Sequence, residues 1–254
     1  MTWPIELVGV NGSRVSYSEG EARAALAGYA FGQVSLSWKP PAGLPPESDL
    51  GVPPSASKRY RWGYWSFDCV PASPSRVSVE DIVATAALNT GVSGDAVLGL
   101  DAIRHDLNET LAHIPVTTTF WQLQARDFGE RPPAPDTVSW WAWRAWALLM
   151  GLHGVDRAIT HKLLHRKRPW LFPMLDSVTT AHLGGVRAWA TIWEDLTRHE
   201  QEFAALEDWF ATLASAHDGV RLTRLRIHDI LLWGELSGDR PAMESLGRQF
   251  LGLL

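Results

Sequence analysis

Residues Gly151 to Val178 read GLHGVDRAITHKLLHRKRPWLFPMLDSV, and the placement of the other segments follows from this stretch. Just upstream, Ser139 to Met150 reads SWWAWRAWALLM, with no Gly, Pro or Asn, which predicts a helix that stops at Gly151. The LHGVDR segment is too short and glycine-punctuated for regular structure. Arg157 to His165 contains no breaker and predicts a second helix. Pro169 ends that helix and Pro173 fixes an extended approach. Asp176 then stands immediately before SVTTAHL, where a carboxylate caps the next helix. The expected unit is helix, tight turn, helix, and then a capped third helix.

The spacing resembles the helix-hairpin-helix DNA glycosylase superfamily, the group that includes endonuclease III, whose hairpin reads LPGVGRKTA. Leu152, Gly154, Val155 and Arg157 match it, and the interval to an aspartate before a helix is kept without a gap. The resemblance puts Asp176 at the catalytic aspartate. A second resemblance is to a mostly actinobacterial family with a KLLxxKRPxLxPxxDSV signature, seen from Lys162 to Val178, that brings no established activity. Traces of it extend through DIVATAALN near Asp81 and LRIHDILLW near Asp229. Two positions depart from the glycosylase pattern. Ala158 stands where bifunctional glycosylases carry the lysine that forms a Schiff base with the sugar, which implies a monofunctional, water-using enzyme. Asp156 replaces the second hairpin glycine; it can adopt a left-handed turn but sets a negative charge where a DNA phosphate would approach.

Composition bounds the answer. The 254 residues, 46% hydrophobic and 20% charged, are enough for one sizeable core or two small lobes sharing a cleft. A single cysteine, Cys69, excludes an internal disulfide and the four-cysteine iron-sulfur cluster of some superfamily members, so no cofactor is expected and a reducing cytoplasm fits. Neither a secretory signal nor a run of about 18 apolar residues is visible, which points to a cytoplasmic protein without a membrane partner. Net charge is −5, against generic nucleic-acid binding, but Arg157, Lys162, Arg166, Lys167 and Arg168 form a run of +5 with no acid, leaving −10 for the remainder. A solvated helix face is the plain reading of such a run. Beside a hairpin of this pattern, local phosphate neutralisation is the reading preferred.

Residues 1–77 form an N-terminal, β-containing and proline-rich segment. VGVNGSRVSYS predicts a β-hairpin about Asn11-Gly12, EARAALAGYA a brief helix, GQVSLSWK a strand, and KPPAGLPPESDLGVPPSAS an extended loop. RYRWGYWSFD reads as a strand or an aromatic wall, with core packing of Trp62, Tyr64, Trp65 and Phe67 favoured over base stacking. Residues 78–254 read as a helical, glycosylase-like domain with its hairpin at 151–157. Ser78 and Asp81 make a capping-box start for a helix ending between Asn89 and Gly91, and a further helix spans Gly94 to His113. TTTFWQLQARDFG is helical or mixed, and RPPAPD breaks the chain before the tryptophan-rich helix. Beyond Asp176, helices fit Val178 to Leu183, Val186 to His217 with interruptions, Leu222 to Leu236, and Arg240 to Leu254. The expected fold is mainly α, helix-hairpin-helix glycosylase-like, with a small N-terminal β element.

Of the 14 tryptophans, Trp140, Trp143 and Trp146 recur at offsets of three, as a buried helix face would. Trp140 and Trp143 are also the candidates for a base pocket. His161 and His165 stand four apart but lack the adjacent glutamate of HExxH, so no metal site is expected. No GxxxxGKS, GxGxxG or GxSxG motif occurs. Cys69 reads as a buried thiol, and His228 with Asp229 as a structural polar pair. The function implied by the resemblance is a monofunctional DNA glycosylase acting on a damaged or modified base in double-stranded DNA, in repair or in defence. Asp176 would stabilise oxocarbenium-like charge and orient water, while the amides of Gly154, Val155, Asp156 and Arg157, with Lys162, Arg166, Lys167 and Arg168, would hold the backbone. A non-catalytic helix-hairpin-helix DNA-binding protein is the alternative, and a helical metabolic or interaction protein the third reading. No obligate protein partner is inferred.

Overall fold

The computed structural model describes residues 3–35, 58–88, 90–124 and 133–254. The chain begins with an antiparallel β-hairpin, β1 (Ile5–Val8) and β2 (Arg14–Tyr17), in the register Ile5 to Tyr17 and Val8 to Arg14. Strict alternation turns Ile5, Leu7, Val15 and Tyr17 inward. α1 (Glu19–Phe31) follows, its start fixed by a capping box in which Ser18 and Glu21 bond each other's backbone amides. A second small antiparallel pair joins β3 (Gln33–Ser35) to β4 (Lys58–Tyr60). The expected proline-rich loop lies outside the described residues, as do most of the QLQARDFG stretch and the first residues of RPPAPD. From Val79 the chain is helical: α2 (Val79–Ala86), α3 (Gly94–Ala112), α4 (Val138–Met150), α5 (Arg157–Lys167), α6 (Ser177–Leu183), α7 (Ala188–Arg198), α8 (Glu200–Ser215), α9 (Arg224–Leu236) and α10 (Arg240–Phe250). The fold is therefore mainly α with small N-terminal β elements, and among the described residues no helix is long and apolar enough to cross a membrane.

Beside a small third cluster of Phe67, Ala84 and Met174, two large apolar cores form. One joins the β-hairpin and α1 to α6 through α10; the other joins α3, α4 and α5 with Leu171 and Phe172. The N-terminal segment thus shares its core with the C-terminal helices. α1 and α10 meet so closely that a Cβ on Gly28 would lie 1.8 Å from the Met243 carbonyl oxygen, and one on Gly247 would lie 1.8 Å from that of Ala24. Small residues at the crossing let the two backbones touch.

Two expectations about buried faces are corrected. In α4 the inward face is Ser139, Ala142, Ala145 and Leu149, not Trp140, Trp143 and Trp146; Trp143 is 40% exposed, and the other two rings are half-buried. Trp146 packs at the margin of the core that Ala142, Ala145 and Leu149 enter, as does Trp141. The second correction concerns α5. Arg166, Lys167 and Arg168 do not reach solvent: they are only 8%, 2% and 3% exposed. Irregular backbone between Phe67 and Arg76 and at the end of α3 leaves buried carbonyls without a ladder, and these donor-only side chains satisfy them. Arg166 donates to the carbonyls of Phe67, Val70 and Pro71 at 2.7, 3.3 and 3.2 Å, Lys167 to those of Ser73 and Arg76 at 3.1 and 2.8 Å, and Arg168 to those of Ile114 and Leu111. Asp81, itself 1% exposed, neutralises two of the three, accepting from Arg166 Nε at 3.0 Å and from Lys167 Nζ. Its other task is the expected capping box with Ser78.

Candidate functional site

The helical hairpin forms where the sequence places it. Gly151 closes α4 through its amide to the Ala147 carbonyl at 3.0 Å, and α5 begins at Arg157. Gly154 supplies the left-handed residue, at φ +75°, and lies so close to α3 that a Cβ there would meet Ser93 Oγ at 2.6 Å. Asp156 is not left-handed. Its backbone is extended and its carboxylate caps α5, accepting from the Ile159 amide at 2.8 Å. The replacement of a hairpin glycine is thus explained by helix capping.

Asp176 caps α6 as expected: Oδ1 accepts from the Thr179 amide at 2.8 Å and its hydroxyl at 3.0 Å. Oδ2 has no hydrogen-bond partner among the described residues. Asp176 is half-buried on the wall of an open cleft of about 940 Å³ that is also lined by Asp156, Arg157 and Ala158 at the end of the hairpin. Asp176 and the hairpin therefore meet at one concave surface, together with Lys162. Arg166, Lys167 and Arg168 are not brought there, and neither are Trp140 and Trp143.

The cleft's other residues come from segments the sequence reading did not assign to a site. Tyr60, Trp62 and Trp233 give it aromatic walls, and Arg59 and Arg61 stand at its exposed rim. The Arg61 guanidinium lies 5.1 Å from the centre of the Trp62 ring. At the floor, buried Arg226 donates to Asp68 at 2.8 and 3.1 Å, to Asp229 Oδ2 and to the Tyr29 hydroxyl, which in turn donates to Asp68 at 3.1 Å. Tyr64 and Phe67 from the same aromatic stretch enter the core, so that stretch splits between packing and cleft.

Asp229 is the largest surprise. It does not pair with His228, which turns away to Asp195 at 3.1 Å. It faces the cleft, and burial pushes its carboxyl up to about 6; the Arg226 guanidinium opposes that rise and the Asp176 carboxylate adds to it. Lys162 lies near both carboxylates without pairing to either. Its ammonium donates to the Leu88 carbonyl at 2.9 Å and to Thr90 Oγ1; burial lowers its pKa while Asp229 and Asp176 pull it back up. The arrangement offers two carboxylates in unlike surroundings, aromatic walls and a cationic rim. The signal for Asp229 was present in the sequence as Arg226 and Asp229 three apart on one helix face.

His161 and His165, four apart on α5, bond the carbonyls of Pro173 and Phe172 through Nδ1 at 2.8 and 2.7 Å, and no metal-binding cluster occurs among the described residues. Cys69 is half-buried.

Residues 54–236 match DUF6308, a family of unknown function. The chain belongs to that family. The DUF6308 match spans α2 through α9, so it contains the hairpin, Asp176 and Asp229. Among curated proteins and solved structures, none matches the chain.

Proposed function

We propose that this DUF6308 protein is a monofunctional DNA glycosylase that hydrolyses the bond between a damaged or modified base and its sugar, leaving an abasic site. The observation that carries the reading is the position of Asp176, with one carboxylate oxygen unengaged, on a cleft bordered by the end of the helical hairpin. A cleft of about 940 Å³ is at the upper end of small-ligand sites and large enough for a nucleotide turned out of the duplex. Tyr60, Trp62 and Trp233 offer faces for the base to stack on. The amides of Asp156 and Arg157 at the hairpin's end, with the side chains of Arg59, Arg61 and Arg157, would hold the phosphates flanking it; Gly154 and Val155 lie off the cleft, and buried Arg166, Lys167 and Arg168 have no part in this. As the base departs, positive charge grows on the sugar, and the Asp176 carboxylate would stabilise that charge and align the attacking water. Ala158 lines the same cleft without an amine, so water is the nucleophile. A reducing cytoplasm, where DNA is at hand, is the compartment that suits it.

The test is base release, read by mass spectrometry, from duplexes carrying alkylated, oxidised, deaminated or hypermodified bases. Wild type is expected to release one of them, and Asp176→Asn to lose about 10²–10³ in rate while keeping the fold. Release that survives the substitution overturns the role of Asp176. Binding without release from any duplex would favour a non-catalytic DNA-binding protein.

A further inference from the structure

Asp176 and Asp229 come from helices that pack against each other, α6 and α9, and line the same cleft in different states of engagement. Asp176 sits at a helix N-terminus, where amides and hydroxyls favour an anion. Asp229 is only 9% exposed; Oδ2 is held by Arg226, and Oδ1 has no partner among the described residues. The charge around it is already spoken for. Asp68 takes two bonds from Arg226, which leaves that pair neutral, and Lys162 is the other cation near the two aspartates. Asp68 and Asp229 thus share one buried guanidinium, and burial favours the protonated form of Asp229.

Resting on the glycosylase reading, we propose that Asp229 is a second catalytic residue, the acid that protonates the departing base, and that the substrate is an uncharged base, not a cationic alkylated one. The Asp229 proton passes to a ring nitrogen of the base as the C1′–N bond breaks, and the bond's electron pair leaves with the base. The sugar is left as an oxocarbenium ion facing the Asp176 carboxylate. Water then adds to C1′ and gives its proton to Asp176, which releases it to solvent while Asp229 takes one up, so both return to their starting states. One water is consumed; free base and abasic sugar are formed. A cationic alkylated base already carries the charge that makes it leave, so it needs no acid.

The consequence for pH is a falling limb. Burial is the main influence that places the Asp229 carboxyl at about 6; the charged and titratable groups near it are Arg226 and His228 from its own helix, Asp176 from α6 and Lys162 from α5. Release of an uncharged base should decline as pH rises through that value, approaching tenfold per pH unit.

The experiment compares wild type, Asp229→Asn, Asp229→Glu and Asp176→Asn on duplexes carrying hypoxanthine, 8-oxoguanine, uracil, an uncharged hypermodified pyrimidine or 7-methylguanine, across pH 5–9. Wild type is expected to release an uncharged base, with the falling limb above about pH 6. Asp229→Asn should slow that release about 10²–10⁴-fold and Asp229→Glu should restore part of it with a displaced limb. Asp176→Asn should slow it about 10²–10³-fold at every pH. Release of 7-methylguanine and none of the others overturns the inference while leaving the glycosylase reading intact. So does a wild-type profile without the falling limb, a measurement that does not depend on any variant folding. Silence on every duplex removes the glycosylase reading, and this inference with it.

Discussion

Acidification to pH 5 should weaken the fold through two histidines, and the size of the effect follows from their surroundings. His161 and His165 are enclosed by the second core, each bonding a backbone carbonyl, and burial lowers them from 6.5 to about 4 and about 3. The folded chain therefore keeps both neutral at pH 5, whereas the unfolded chain protonates them. Because the unfolded state binds more protons, stability is full above about 6.5 and is lost as pH falls toward the folded values. At about 1.4 kcal/mol per pH unit, each histidine costs about 2 kcal/mol at pH 5 relative to pH 7.5. Asp229 works the other way: raised from 3.8 to about 6, it takes up a proton on folding at pH 5 and offsets about 1.4 kcal/mol. The net loss is about 2.5 kcal/mol, measurable by urea unfolding followed through tryptophan fluorescence. His165→Asn, whose amide can still donate to the Phe172 carbonyl, should leave the pH 5 to 7.5 difference about 2 kcal/mol smaller than wild type. An unchanged difference in that variant, or a wild-type difference under about 1 kcal/mol, would refute the reasoning.

Two further outcomes test the interior. Asp81→Asn strands Arg166 and Lys167 among carbonyls with no counter-charge, and should cost about 3–5 kcal/mol in the same unfolding assay; a cost under about 1 kcal/mol would mean the carbonyls suffice. Gly28→Ala forces a methyl to within 1.8 Å of the Met243 carbonyl and should lose about 2 kcal/mol or more despite better helix propensity. Gly20→Ala in the same helix, where a methyl meets nothing within 4 Å, should gain up to about 1 kcal/mol, and a loss there would sink the packing argument.

Much of the fold was legible because it is local. The capping box at Ser78, the turn at Asn11-Gly12, the stops at Gly151 and Pro169 and the cap at Asp176 each depend on a few adjacent residues, and each formed where expected. Asp176 and the hairpin end came together because only a short tether separates them. The α5 cations misled because charge in a sequence carries no sign of burial: their partners, the 67–76 carbonyls and Asp81, lie more than 80 residues away in the chain.

The sequence by itself determined the helix boundaries, the hairpin and the capping aspartate, since backbone sterics and short-range hydrogen bonds set them. Tertiary structure alone decided which charges go inside, which aromatics line the cleft and that Asp229 faces Asp176. Those outcomes depend on contacts such as Arg226 with Asp68 and Tyr29, between side chains far apart in the chain, whose desolvation and pairing have no value until the helices have packed.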